Sequence, residues 1–417
     1  MNRTERSWIT YDVANSAFVL VVVTAIMPIF FKEVAGHGIP SATSTAWWGY
    51  ANSFSSAILV VLAPIMGTFA DYPGWKKRLF AIFLLLGVSA TALLYFVEEG
   101  AWLYCLVVFV LAKSGWAGTN VFYDSFITDI TEESRMDKVS TAGYAWGYIG
   151  SVIPFMAVIG LITAMKSPGG GSIPADAARI GFIIVASWWL LFSLPLLRNV
   201  RQVYSIAPAH NPVKDAFARL FVTLGHLKSH REAFLFLLAY FFFIDGVDTV
   251  ITMAVAYGVD IGLSSSTLIL AILAIQVVAF PCAIFWGWLT DRFRVKLLLQ
   301  AGIAIYSVIT LLAFLLPTFP TLQAKTAMFW LLSLLVASTM GGIQALSRSF
   351  FGRLVPPEQS AEFFGFYNIS GKFATITGPF LVGITGQMTG HSRYGVLSIL
   401  ILFLAGALIL SRVREHP

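Results

Sequence analysis

Four ionisable side chains fall deep inside apolar runs of this chain: Lys113, Asp245, Asp248 and Lys372. A charge near the centre of a bilayer costs about 2.5–3.5 kcal/mol on insertion scales and is usually kept for function. Lys113 lies about 12 residues into its run, which at 1.5 Å per residue is ~18 Å, close to a midplane. Asp245 is similarly central, and Asp248, three residues on, shares its helix face. Two carboxylates one turn apart repel, so the pair is a candidate proton acceptor. The same carboxylates could instead take a substrate ammonium, with Lys113 or Lys372 taking a carboxylate. Asp12, Asn15, Asn120 and Gln344 add hydrogen-bonding groups to this candidate substrate or proton site. The plainer reading of the same residues is a permanently paired Asp–Lys cluster that only fixes packing.

These residues need elements that bury them. The chain has 417 residues, of which 58% are apolar, 15% aromatic and 12% charged, with a mean hydropathy of +0.79. A soluble domain carries about 25% charged residues, so a soluble enzyme or a disordered protein is excluded. The apolar runs are continuous rather than alternating, which excludes a barrel and fits helices that cross a bilayer. Twelve spans are expected, at 12–32, 47–70, 79–97, 102–123, 140–164, 178–197, 233–256, 266–289, 296–316, 327–350, 362–386 and 394–411. The first is too long for a signal peptide, and no small-residue cleavage site follows it. Cys105 and Cys282 both lie within spans and suggest neither a disulfide nor a metal site.

Of the 27 Lys and Arg residues, twenty fall on one side of this topology, five on the other, and Lys113 and Lys372 within spans. The asymmetry places both termini and the central loop in the cytoplasm. It also explains the net charge of +6 without nucleic acid. Trp47, Trp48, Trp102, Trp188 and Trp189 lie near span ends, as an interfacial belt does. The expected domains are a six-helix bundle over 1–198, a linker over 199–232 and a second six-helix bundle over 233–417. Within the linker, Asn211-Pro212 starts an amphipathic pattern through Val213, Phe217, Leu220, Phe221, Leu224 and Leu227, expected to lie on the cytoplasmic face; the alternative is a plain flexible linker.

The halves resemble each other. Gly67-x-x-x-Asp71, followed by Gly74 and Lys76-Lys77-Arg78, matches Gly287-x-x-x-Asp291, followed by Arg292, Arg294 and Lys296. Gly118-Thr119-Asn120 with Ser125-Phe126 matches Gly342-Ile343-Gln344 with Ser349-Phe350, and Asp12-x-x-Asn15-Ser16 matches Asp245-x-x-Asp248-Thr249. Three matches in order at corresponding spans argue for a six-plus-six repeat.

Six helices, a basic loop and six more helices resemble the major facilitator superfamily, whose signature is similar to Gly67-x-x-x-Asp71-x-x-Gly74-x-Lys76-Lys77. Within it, Trp8-x-x-Tyr11-Asp12-x-Ala14-Asn15-Ser16-Ala17-Phe18 resembles the Atg22-like (UMF1) family. So do Gly365-Phe366-Tyr367-x-x-x-Gly371-Lys372-Phe373 and Gly378-Pro379. The resemblance implies an all-α fold of two pseudo-symmetric bundles. It also implies a central cavity lined by spans one, four, seven and ten. Our own expectation is that Asp245 and Asp248 face Lys113 across it. It makes Asp71 part of a cytoplasmic latch, with Asp291 its counterpart. Asp71 stands just past a helix C-terminus, against the dipole, and needs a donor: Arg78 or the N-terminus of a neighbouring helix. Asp124 and Arg348, at pseudo-equivalent positions, are expected to pair when the cytoplasmic side is closed. The second-half loop departs from the signature, with Arg294 at its second glycine, which suggests a looser gate there or simple decay of the repeat.

All six His lie outside the spans, and no His-Glu-x-x-His motif exists. Gly365…Gly371-Lys372 has five intervening residues and ends in Phe373, so it is not a phosphate loop. The expectation is therefore a secondary transporter and not an enzyme, without cofactor or metal. It would sit as a monomer in a bacterial inner membrane. Its partners would be a small solute of amino-acid type, protons and membrane lipids. The alternative is an exporter of amphipathic drugs or lipids with an aromatic lining that includes Tyr11, Phe18, Trp116, Trp146, Tyr148 and Phe241–Phe243.

Overall fold

A backbone polar group in hydrocarbon must be satisfied within its own segment, so an apolar chain of this kind folds as helices. The computed structural model describes residues 1–165, 173–207 and 230–414. It contains α1 (Arg3–Ala35), α2 (Ser41–Ala70), α3 (Trp75–Leu93), α4 (Trp102–Ser125), α5 (Met136–Ala164) and α6 (Ala175–Asn199). The second half contains α7 (Arg231–Asp260), α8 (Ser265–Leu289), α9 (Val295–Leu315), α10 (Leu322–Leu354), α11 (Ser360–Thr389) and α12 (Ser392–Ser411). Among the described residues, 11 helices are long and apolar enough to cross a membrane. The remaining one is α11, which is rich in Gly and Thr and contains Lys372. The amphipathic segment expected from Asn211 onward lies outside the described residues.

The first helix begins well before the expected span. Asn2 accepts the N–H of Glu5, and the Glu5 carboxylate accepts the N–H of Asn2, a reciprocal cap that starts α1 at Arg3. Asp12 is consequently ten residues into its helix rather than at its mouth. From Phe18 to Ile26 α1 winds more widely, with i→i+5 bonding, and tightens again at Met27-Pro28. Widened turns of this kind recur at functional sites. Pro64, Pro154, Pro195, Pro281 and Pro379 lie inside helices.

The chain forms two compact units. Unit 1 comprises Met1–Thr131, Trp146–Leu220 and Pro357–Gly365, and unit 2 comprises Glu132–Ala145, Phe221–Pro356 and Phe366–Pro417. The units follow the two halves of the sequence except at two exchanges. The start of α11 packs with the first half, and the start of α5 packs with the second. Both exchanges occur at the ends that the Lys and Arg count assigns to the cytoplasm.

Candidate functional site

In unit 1, α4 is the most enclosed helix. From Ala112 to Asp124 only Lys113, Trp116 and Asn120 are partly exposed. Their spacing of three and four residues puts them on one face. The Lys113 ammonium donates to the Asn52 side-chain oxygen at 2.6 Å. The Asn52 amide in turn donates to the Trp48 carbonyl at 2.9 Å, which fixes the orientation of the amide. Asn52, on α2, is a partner the sequence reading missed.

The aromatic motif of α1 is spent largely on clamping α1 to α4. The Trp8 indole N–H donates to the Tyr123 carbonyl at 2.8 Å, and the two rings stack 4.5 Å apart. The Tyr11 hydroxyl donates to Thr119 Oγ1 at 2.6 Å, and the Tyr123 hydroxyl donates to Asp12 Oδ2 at 2.6 Å. Asp12 and Asn15 are both buried. Asp12 thus acts as an acceptor between two helices.

In unit 2, Asp245 is fully buried in α7. Its Oδ1 accepts the backbone N–H of Gly378 on α11 at 2.8 Å and the Thr249 hydroxyl at 3.4 Å. Its Oδ2 is buried and has no hydrogen-bond partner among the described residues. Any side chain at Gly378 would collide with Thr249 and with Asp245 Oδ1, so only glycine lets the α11 backbone reach the carboxylate. Pro379 follows immediately and removes one backbone donor from the helix. Asp248 is half-buried. Between Thr339 and Gly352 of α10, Gln344 alone is partly exposed, just as Asn120 is alone between Ala117 and Thr128. The two amides matched by the internal repeat thus occupy matching environments. Lys372 lies on α11, and its side chain is outside the described residues. Lys113 belongs to unit 1, and Asp245 and Asp248 to unit 2.

A second set of polar residues gathers where each unit takes in a foreign helix start. In unit 1, Asp71 is fully buried beyond the end of α2. Its two oxygens accept the N–H groups of Ala361 and Glu362, at 2.9 and 3.1 Å, in the first turn of α11. A carboxylate there meets the positive end of the α11 dipole. Burial nonetheless pushes the Asp71 carboxyl up to about 8, against the opposing influence of Lys76 and the two N–H groups. Gly67 makes the approach possible, because a Cβ there would strike the Ala361 carbonyl. Of the two donors expected for Asp71, the helix N-terminus is the one found. Arg78 is exposed, with its guanidinium 5.7 Å from the Trp75 ring. The buried cation is Lys76, which bonds Asp129 at 2.7 Å and the Ser360 hydroxyl at 2.9 Å. The other oxygen of Asp129 accepts the N–H groups of Val203 and Tyr204, tying down the chain that leaves α6.

In unit 2 the start of α5 is held by α10. Arg348 donates to the Ser140 hydroxyl at 2.9 Å and to the Ser140 carbonyl at 3.0 Å, and its guanidinium lies 4.5 Å from the Tyr144 ring. Asp137 accepts from Arg353 at 2.8 Å and from the Ser349 hydroxyl. Asp291 pairs with Lys138 at 2.7 Å, with both side chains about half exposed. Asp124, the residue expected opposite Arg348, is buried in unit 1. Lys76 stood in the signature, so its importance was open to the sequence. Asp129, Ser360, Ser140 and Asp137 carry no local pattern that marks them.

Comparison with known proteins agrees with this architecture. Residues 2–416 match the family described as vacuole effluxer Atg22 like. The chain is 45% identical over 413 residues to YxiO of Bacillus subtilis (strain 168), described as an MFS-type transporter, covering 99% of this chain and 95% of the relative. It is 22% identical over 490 residues to autophagy-related protein 22 of Saccharomyces cerevisiae (strain ATCC 204508 / S288c), covering 97% and 90%. Among solved structures, the proton:xylose symporter XylE superposes with a TM-score of 0.76 at 12% identity, over 99% of this chain and 96% of that one. A bacterial homologue of the iron transporter ferroportin in its outward-facing state gives 0.71 at 14%, over 98% of each chain. At these identities the solved structures speak for the fold alone.

Proposed function

The chain belongs to the Atg22-like family of the major facilitator superfamily, and from that premise we propose that it moves a small zwitterion, of amino-acid type, by alternating access coupled to protons. A multi-pass membrane transporter of this family is not an enzyme. The setting proposed is a bacterial plasma membrane, with both termini in the cytoplasm. The two domains proposed to rock against each other are the six-helix halves of the sequence, 1–198 and 233–417, joined by the linker.

The observation that carries the reading is Asp245. A carboxylate sealed in mid-helix, with one oxygen lacking a hydrogen-bond partner and no cation bonded to it among the described residues, is poor packing material. It suits a group that gains and loses a proton as the surrounding helices move. The Gly378 N–H ties it to α11 just before Pro379, where the helix can bend. The first turn of the same α11 is held by Asp71, about 17 residues and ~25 Å away at 1.5 Å per residue. In the proposed cycle, proton transfer at Asp245 shifts the Gly378 segment, and α11 conveys that shift to the Asp71 latch. Opening toward the cytoplasm would then require the Asp71 and Arg348 clusters to part.

Lys113, oriented by Asn52, is the proposed anchor for a substrate carboxylate. Asn120 and Gln344 are the proposed amides that read its polar body, and Asp248 the group nearest in chemistry to its ammonium. The opposing reading, an amphipathic-drug or lipid exporter, needs a greasy lining. Tyr11, Phe18 and Phe243 from the expected lining are fully buried in ring packing, which weakens that reading.

Flux into proteoliposomes tests the proposal. Asp245→Asn should abolish uphill accumulation of substrate while leaving counterflow exchange, and Lys113→Ala should weaken substrate affinity. Variants that fold and accumulate substrate like the wild type would remove both roles.

A further inference from the structure

Beyond α6 the chain stays on unit 1 for several residues. It becomes extended at Val200 and crosses the turn between α2 and α3. The Lys77 ammonium donates to the Val200 carbonyl at 2.9 Å. Gln202 then reaches both helix ends at once. Its amide nitrogen donates to the Ala70 carbonyl at 3.0 Å, where α2 closes. Its oxygen accepts the N–H groups of Gly74 and Lys76, at 2.9 and 3.4 Å, where α3 opens. Gly74 turns the chain with φ 76 and has no side chain to cap α3, so the cap comes from a residue 126 positions beyond Lys76. Farther on, the Ile206 N–H donates to the Asp71 carbonyl at 2.9 Å.

Two of these attachments lead on to α11. Ile206 holds the backbone of Asp71, whose carboxylate takes the N–H groups of Ala361 and Glu362. Val203 and Tyr204 hold one oxygen of Asp129, whose other oxygen holds Lys76, and Lys76 donates to Ser360. The segment itself buries little, since Val203 is 64% and Tyr204 39% exposed. Hydrogen bonds at the surface, rather than apolar burial, therefore keep it in place, and such bonds are individually weak. A tether between two halves needs none of them, because a loop lengthens at small entropic cost.

We propose that residues 200–206 are a strap that works as part of the Asp71 latch, with Gln202 as its positioning residue. Gln202 sets the α2–α3 turn in the shape that brings Asp71 and Lys76 to the first turn of α11. Lifting the strap frees that turn and, through Asp71 and Lys76, the start of α11. The proposal rests on the reading of Asp71 as a latch and needs no knowledge of the substrate.

Hydrogen–deuterium exchange of the purified full-length protein in detergent, read over residues 357–365, tests the strap. Gln202→Ala should speed exchange there by about threefold to tenfold, the equivalent of one net hydrogen bond. Ile206→Pro, which deletes one strap N–H, should act in the same direction. Val203→Ser keeps its backbone N–H and alters only an exposed side chain, so it should leave exchange unchanged. Asp71→Ala should have a larger effect than either strap variant. Because Gln202 acts in part through Asp71, Gln202→Ala/Asp71→Ala should fall short of the product of the two single effects. Wild-type exchange in Gln202→Ala and Ile206→Pro, with Asp71→Ala still fast, makes the segment a passive tether and leaves the latch standing. If Asp71→Ala is unchanged as well, the latch reading fails and the strap with it. Effects that multiply in the double variant, or equal acceleration over residues 392–411, give Gln202 a merely structural role and overturn the proposal.

Discussion

The end of α2 in unit 1 and the end of α8 in unit 2 carry the same Gly-x-x-x-Asp motif, yet the two aspartates live in different media. Asp71 is sealed and takes two backbone N–H groups from the first turn of α11. Among the described residues Asp291 pairs with Lys138 alone, and that pair is half in solvent. The loops after them differ accordingly. Gly74 turns the chain with φ 76, in the left-handed region, before α3, whereas Arg294 enters α9 with φ −63 in extended conformation. Unit 2 holds its borrowed helix start by Arg348 on Ser140 and Arg353 on Asp137 instead. A repeated motif therefore does not guarantee a repeated interaction. Burial sets the energy of each, because a charge pair in solvent is worth about 0–1 kcal/mol while a buried donor left without its acceptor costs about 1–3.

The comparison can be broken at four points. The largest effect is expected from Lys76→Met, which strands the buried Asp129 carboxylate. It should destabilise the protein by about 3–5 kcal/mol, read as a fall in the melting temperature of detergent-purified protein. Next, Asp71→Ala leaves the N–H groups of Ala361 and Glu362 without their acceptor, at about 1–3 kcal/mol for each buried group. Hydrogen–deuterium exchange over residues 357–365 should speed up markedly, and Asp71→Asn should speed it less.

Third, acid should tighten the Asp71 contact. Its carboxyl lies near 8 when latched and at the ordinary carboxylate value of about 4 when exposed. The latched form thus holds a proton that the open form releases. That contribution is complete below about pH 4, shrinks as pH rises and is gone above about 8. Lys76 and Glu362 face the same carboxyl, so their variants should move the midpoint. Exchange at 357–365, corrected for intrinsic rates, should show this dependence, and Asp71→Asn should flatten it. The smallest effect belongs to Lys138→Ala and Asp291→Ala. A double-mutant cycle should give a coupling under about 1 kcal/mol that fades with added salt. A coupling as large as that at Lys76–Asp129 would erase the contrast.

What could be read in the sequence was what is local or periodic. Apolar runs gave the helices, and the repeat placed Asn120 and Gln344 in matching settings. The start of the first helix was placed too late, because the Asn2–Glu5 cap extends α1 through polar residues that hydropathy discounts. The buried latch was only half legible. Lys76 and Ser360 are 284 residues apart in sequence, and Ser140 and Arg348 are 208 apart. Helical periodicity says which face a residue occupies but not which distant helix meets that face. Asn52 escaped for a related reason, since a lone amide in an apolar helix looks the same whether it orients a lysine or faces lipid. Gly378-Pro379 stood out in the sequence as part of the family resemblance, but its bond to Asp245 required the two helices to be placed.

The central claim is that Asp245 exchanges a proton as substrate moves. Proteoliposomes loaded with a pH-sensitive dye, challenged with individual amino acids, test it directly. The account predicts a substrate-driven change of internal pH for the wild type that is absent in Asp245→Asn, while labelled substrate still exchanges across the membrane. Equal proton movement in the two proteins, or labelled amino acid transported by the wild type with no pH change at all, would contradict it.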